Sequence, residues 1–97
     1  MGSFILTQKA RDDLLAIGRY MRKQWEKAQQ IRYLTQLGSA FHDQADKPEI
    51  GRTCDDIREG YFKYGVGKHV IFYRHAGKDR VEIVRILHGR MDIEQHL

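Results

Sequence analysis

From residue 69 onward the chain gathers its strongest apolar clusters: His-Val-Ile-Phe-Tyr-Arg, then an interval from His75 to Arg80 holding Gly77 and Asp79, then Val-Glu-Ile-Val-Arg-Ile-Leu-His ending at His88. β-Branched and aromatic arms around turn formers predict a β-hairpin. Within 81–87 only Glu82 and Arg85 are polar, which predicts a central strand covered on much of both faces. Residues 57–64 read as a preceding strand, and Gly65-Val-Gly67 as a tight reversal, giving a three-stranded meander. Alternation sorts Val81, Ile83, Arg85 and Leu87 to one face and Glu82, Val84, Ile86 and His88 to the other, until any bulge intervenes.

The first half changes period. Ala10, Leu14, Ile17, Met21 and Trp25 recur at helical spacing, and Thr7 suits an N-cap with Asp12 and Asp13 near the positive end. A second helical pattern covers 27–45, with Ile31, Leu34, Leu37, Phe41 and Ala45 on one side. The short link at 25–27 predicts an αα-hairpin, and a close backbone approach would explain Gly18 and Gly38. Pro48 ends the second helix, and a loop runs from there to Asp56. Residues 3–7 read as a first strand joining a sheet edge, and 92–95 as a short helical turn. The prediction is an α+β fold of order β-α-α-β-β-β: an antiparallel helix hairpin on a mainly antiparallel four-stranded sheet, closed by a short C-terminal turn.

Composition narrows the setting. With 97 residues, 31% charged and 41% hydrophobic, the chain fits one ordered domain over 1–97. A formal charge of +4 suits an anionic partner and equally suits solubility alone. Cys54, the single cysteine, leaves no disulfide framework or cysteine zinc site and fits a reducing cytoplasm. No run approaches the roughly 20 apolar residues of a membrane span.

Chemistry is sparse. Arg85 among aliphatic neighbours must find an acceptor, either Glu59 or another carboxylate, or else serve as an anion-binding arginine. His88 is suited to acid or base work near neutral pH, with Arg58, Lys63, Lys68 and Arg90 able to surround a phosphate. His88, Asp92 and His96 would share a face only on a long helix, which Gly89 opposes, so no metal site is predicted. Tyr20, Trp25 and Tyr33 at helical spacing read as core rather than as platforms for bases. There is no paired-carboxylate motif, Gly-rich phosphate loop or nucleophile-base constellation, and no cofactor is implied.

Taken in order, Leu6-Thr7 with Ala10, Asp13 and Leu14, then Pro48-Glu-Ile-Gly51-Arg52, Ile57-Arg58-Glu-Gly60-Tyr61, His69-Val-Ile-Phe-Tyr73 and Ile83-Val-Arg-Ile-Leu-His88 with Arg90, Met91 and Asp92, resemble ParE toxins of the RelE/ParE superfamily, found in type II toxin-antitoxin systems. The resemblance implies a bacterial or plasmid-borne, non-enzymatic toxin that inhibits DNA gyrase and is neutralised by a ParD-like antitoxin. On that reading Arg58, Tyr61, Lys63, Arg85, His88, Arg90, Met91 and Asp92 meet the target, while Leu14, Ile17, Met21, Trp25, Tyr33 and Phe41 meet the antitoxin. RelE-type relatives instead cut mRNA on the ribosome, and Arg85 with His88 would be the matching pair. After His88 no tyrosine follows, an ending that is ParE-like. Glu26-Lys27 and Phe62-Lys63 depart from common ParE patterns and bear on the target contacts.

Overall fold

The computed structural model describes residues 2–89 and 96–97. Strand β1 (Ser3–Leu6) leads into Thr7, whose extended backbone and side-chain oxygen, accepting the Ala10 N–H at 3.0 Å, cap α1 (Gln8–Gln24). The residues Trp25 and Glu26, both extended, link it to α2 (Lys27–Asp46), and the Gln30 amide returns to the Trp25 carbonyl at 3.0 Å. Lys47, ahead of Pro48, ends α2, and a 3-10 turn (Pro48–Ile50) follows. The inner faces of the helices bury Ala10, Ile17, Met21, Tyr33, Leu37, Ala40, Phe41 and Ala45 against the sheet residues Ile71, Tyr73, Val81, Ile83 and Ile86. Each large side chain so buried contributes about 1.5–3 kcal/mol relative to exposure. The close approach expected at the helix glycines is absent: a Cβ on Gly18 would meet only the Arg22 guanidinium at 3.7 Å, and one on Gly38 nothing within 4 Å.

Among the described residues the sheet has five strands, ordered β1-β5-β4-β3-β2, rather than the four expected. The addition is β2 (Arg52–Thr53), two residues inside the stretch read as a loop. β3 (Tyr61–Val66) begins later than the apolar Ile57 indicated. Residues before it fold into a turn, in which the Cys54 carbonyl accepts the Ile57 and Arg58 N–H groups at 3.0 Å and the Asp55 carboxylate accepts the Gly60 N–H at 2.8 Å. The reversal into β4 (His69–His75) is a two-residue loop, Gly67-Lys68, with φ 56° at Gly67, as a II′ turn requires. β5 (Arg80–His88) pairs antiparallel with β4 and parallel with β1.

A bulge decides which side chains face which way. Phe72 pairs with Arg85 but Tyr73 pairs with Ile83, so Val84 is the extra residue. Val81 and Ile83 join the cluster under the helices; after the bulge it is Ile86 that does so, while Leu87 joins Phe72 and Cys54 in a second cluster. The simple alternation thus holds only up to Ile83. Arg85 leaves the apolar interior because of that one inserted residue.

Candidate functional site

The face of the sheet away from the helices collects four of the residues predicted to meet a target. Tyr61 pairs with Arg74 and Lys63 with Phe72 across β3 and β4, and Phe72 with Arg85 across β4 and β5, so these side chains share one face. Arg58, from the turn before β3, lies 5.8 Å from the Tyr61 ring centre, and Arg74 lies 6.0 Å from it. Guanidinium groups at that range are attracted by the ring's negative face. Beneath them Cys54, Phe72 and Leu87 form a small buried cluster, with Ile57, Tyr61, Val70 and Leu97 packed against it. Burial pushes the Cys54 thiol up from its ordinary pKa, so it is a poor nucleophile in this position.

Arg85 stands in this face already engaged. Its Nε and Nη2 reach the two Asp13 oxygens at 2.8 and 2.9 Å, and its Nη1 donates to the His96 carbonyl at 2.8 Å. The Asp13 carboxylate, through those hydrogen bonds, raises the Arg85 pKa above its ordinary value. Asp13 also accepts the Ile86 N–H at 2.9 Å. That donor would otherwise be orphaned, because β1 ends at the Leu6–Ile83 pair and α1 takes over the strand's edge. Thr7 serves the same edge: its N–H donates to the Ile83 carbonyl at 3.1 Å and its hydroxyl to the Val84 carbonyl at 2.7 Å. Of the two readings open for Arg85, a carboxylate pair or an anion-binding arginine, the structure shows the pair, and the carboxylate is Asp13 rather than Glu59.

His88 falls on the opposite face. It sits across from His69, the rings edge-to-face with centres 5.6 Å apart. His69 Nδ1 is 2.6 Å from the Tyr33 hydroxyl, which donates its only proton to the Val66 carbonyl at 2.8 Å. Nδ1 must then carry the hydrogen, and the His69 lone pair lies on Nε2. Burial first, then the neighbouring His88, lowers the His69 pKa from 6.5. Sequence reading passed over His69 because counting back from the hairpin turn places it opposite Leu87, and only the bulge moves His88 into register.

The residues expected to meet an antitoxin are largely interior. Ile17, Met21, Tyr33 and Phe41 are at most 8% exposed and belong to the core, and Leu14 and Trp25 pack against it half-covered. Each is held by the sheet or by a neighbouring ring, as Trp25 is by Tyr33 at 5.4 Å. What the hairpin turns outward is Leu15, Tyr20, Ile31 and Leu34, with Arg11, Arg19, Arg22 and Lys23 among the exposed residues of α1. Arg90, Met91 and Asp92, together with the predicted turn at 92–95, lie outside the described residues. No three His, Cys, Asp or Glu among the described residues stand together as metal ligands, and none of their helices is long and apolar enough to cross a membrane.

Residues 4–93 match the sequence model of a family described as the ParE toxin of the type II toxin-antitoxin system parDE. This chain belongs to the ParE toxin family. Relatives agree: Toxin ParE1 of Mycobacterium tuberculosis (strain CDC 1551 / Oshkosh) is 38% identical over 94 residues, covering 97% of this chain and 96% of that protein. Toxin ParE1 of Caulobacter vibrioides is 34% identical over 97 residues, covering 100% and 99%. A solved structure titled as the chromosomal ParDE system from P. aeruginosa shares the fold at a TM-score of 0.73 and 18% identity, covering 91% of this chain and 95% of that one. The ParE chain described here is thus the toxin component of a type II toxin-antitoxin system. Its bulge, its Asp13–Arg85 pair and its cationic outer face are the particular form this fold takes.

Proposed function

We propose that this ParE toxin, with residues 1–97 acting as one domain, inhibits DNA gyrase in the bacterial cytoplasm by binding it, and that a ParD-like antitoxin neutralises it. Family membership carries the reading, and the outer face supports it: Arg58, Tyr61 and Lys63 form a cationic, aromatic-centred surface of the kind that recognises an anionic or acidic partner. His88, which lies on the opposite face, and Arg90, Met91 and Asp92 complete the set of residues assigned here to the target. A non-catalytic mode is favoured by Arg85, since the guanidinium that would hold a scissile phosphate is already bidentate on Asp13. In a supercoiling assay with purified gyrase, micromolar toxin stops supercoiling or accumulates cleaved DNA, and added antitoxin reverses it. Normal supercoiling at that concentration defeats the proposal.

A second reading, ribosome-dependent mRNA cleavage, draws on one observation: the ring of His69, whose pKa burial lowers, lies edge-to-face with that of His88 at 5.6 Å, two imidazoles within reach of one substrate. Primer extension on translated mRNA decides it, since codon-linked cuts lost in His88→Ala establish the nuclease and their absence removes it.

A further inference from the structure

His69 and His88 are Cα partners at the end of the β4–β5 ladder away from the hairpin turn, and the adjoining Gly89 N–H donates to the Lys68 carbonyl at 2.9 Å. That bond makes Lys68 and Gly89 the hydrogen-bonded pair. His69 and His88 are then a non-hydrogen-bonded pair, the arrangement that brings facing side chains of antiparallel strands closest, with Cα atoms about 4.5 Å apart. Two imidazoles whose nitrogens meet one ion at about 2.0–2.1 Å have ring centres on the order of 5–6 Å apart. The centres here are 5.6 Å apart. What would orient a ligand is also in place. The Tyr33 hydroxyl, committed as donor to the Val66 carbonyl, takes the hydrogen of His69 Nδ1, and so fixes the tautomer that offers Nε2. Gly67 lets that hydroxyl come near, since a Cβ there would lie 2.9 Å from it and 2.6 Å from a carbon of the ring.

We propose that His69 Nε2 and the His88 imidazole together bind a divalent transition-metal ion of the imidazole-preferring class, zinc, nickel or copper, which ties the first residue of β4 to the last of β5. Asp13, the acid whose charge reaches His69, is spent on Arg85 and the Ile86 N–H. The protein ligands are therefore nitrogen only, which selects against magnesium and calcium, and water takes the remaining positions. The proposal is independent of the gyrase reading, which stands or falls by a separate assay.

The test uses the full chain without a histidine tag. In calorimetric titration at neutral pH zinc binds one ion per chain, nickel and copper do likewise, and magnesium does not. Copper, a quencher of nearby indoles, dims Trp25, the single tryptophan, whose ring centre lies 5.4 Å from that of Tyr33, itself 5.6 Å from that of His69. His69→Gln and His88→Gln each weaken zinc binding at least about tenfold and abolish the rise in melting temperature that zinc gives the unaltered chain. Tyr33→Phe keeps the ring but not the hydroxyl, and weakens binding about tenfold by freeing the tautomer. His88 is only half-buried, so its variant melts close to the parent in the absence of zinc, which separates a lost ligand from a lost fold. His42→Gln and His75→Gln, whose rings pack on Phe4 and Phe62, leave binding unchanged. Failure of zinc, nickel and copper to bind overturns the proposal, as does binding that survives His69→Gln or His88→Gln. A loss of the same size in His42→Gln or His75→Gln also overturns it, in favour of adventitious contact with scattered imidazoles.

Discussion

A guanidinium in an aliphatic strand is a problem for which Asp13 is the answer. The two side chains are 15% and 14% exposed, so each is costly to leave alone. Asp13→Ala strands both the Arg85 charge and the Ile86 N–H, and we expect a loss of about 2–4 kcal/mol in urea denaturation, somewhat below a fully buried pair. Arg85→Lys, which keeps charge but not the planar fork, recovers only part of what Arg85→Ala loses. Reduced toxicity in any Arg85 variant must therefore be read beside its melting curve. His69 carries the pH dependence. Its folded pKa lies below 6.5, so the unfolded chain binds the proton first and stability falls as pH drops from about 6.5 toward the folded value. His69→Gln should flatten that slope in melts between pH 7 and 5. Both groups were partly legible: the sequence shows an arginine needing a partner, but nothing in local spacing reveals an acid 72 residues away.

At the scale of elements, caps and breakers were readable because they act locally. Thr7 and Pro48 bound the helices as their chemistry requires, and Gly67 supplies the one positive φ of the β3–β4 reversal. Thr7→Ala should cost about 1–2 kcal/mol, since it removes a cap and leaves the Val84 carbonyl without its donor. The apolar stripe of α1 was equally visible, but that of α2 was misread: Ile31 and Leu34, placed on the side of Leu37, Phe41 and Ala45, point outward instead, as does Tyr20, which was read as core, because the sheet covers the side that carries Tyr33, Leu37, Ala40 and Phe41. This yields a two-sided test. Leu37→Ala should destabilise by about 2–5 kcal/mol, as a core truncation. Ile31→Gln and Leu34→Gln should change stability by no more than about 0.5 kcal/mol, and weaken antitoxin binding if the outward face is what the antitoxin covers. The bulge at Val84 was foreseen only as a proviso. Its position follows from how β4 and β5 pack, and no residue type in that stretch marks it.

Across the whole molecule the sheet divides the labour: one face is sealed by helices, and the other carries Arg58, Tyr61, Lys63 and Arg74 around a small apolar cluster. With a net charge of +4, association with an acidic antitoxin segment should slow as salt rises from 50 to 500 mM while dissociation changes less, measured by stopped-flow mixing. The β5–β1 pairing has a consequence in time. Residues 3–6 form their ladder with residues 80–83, so the first strand made waits for the last. At about 5–20 residues per second, a ribosome leaves that edge open for roughly 4–15 s. Throughout that interval the nascent toxin lacks both the strand that Thr7 and Asp13 anchor and the surface that strand completes. A cell making this protein therefore has a built-in delay between beginning the poison and possessing it.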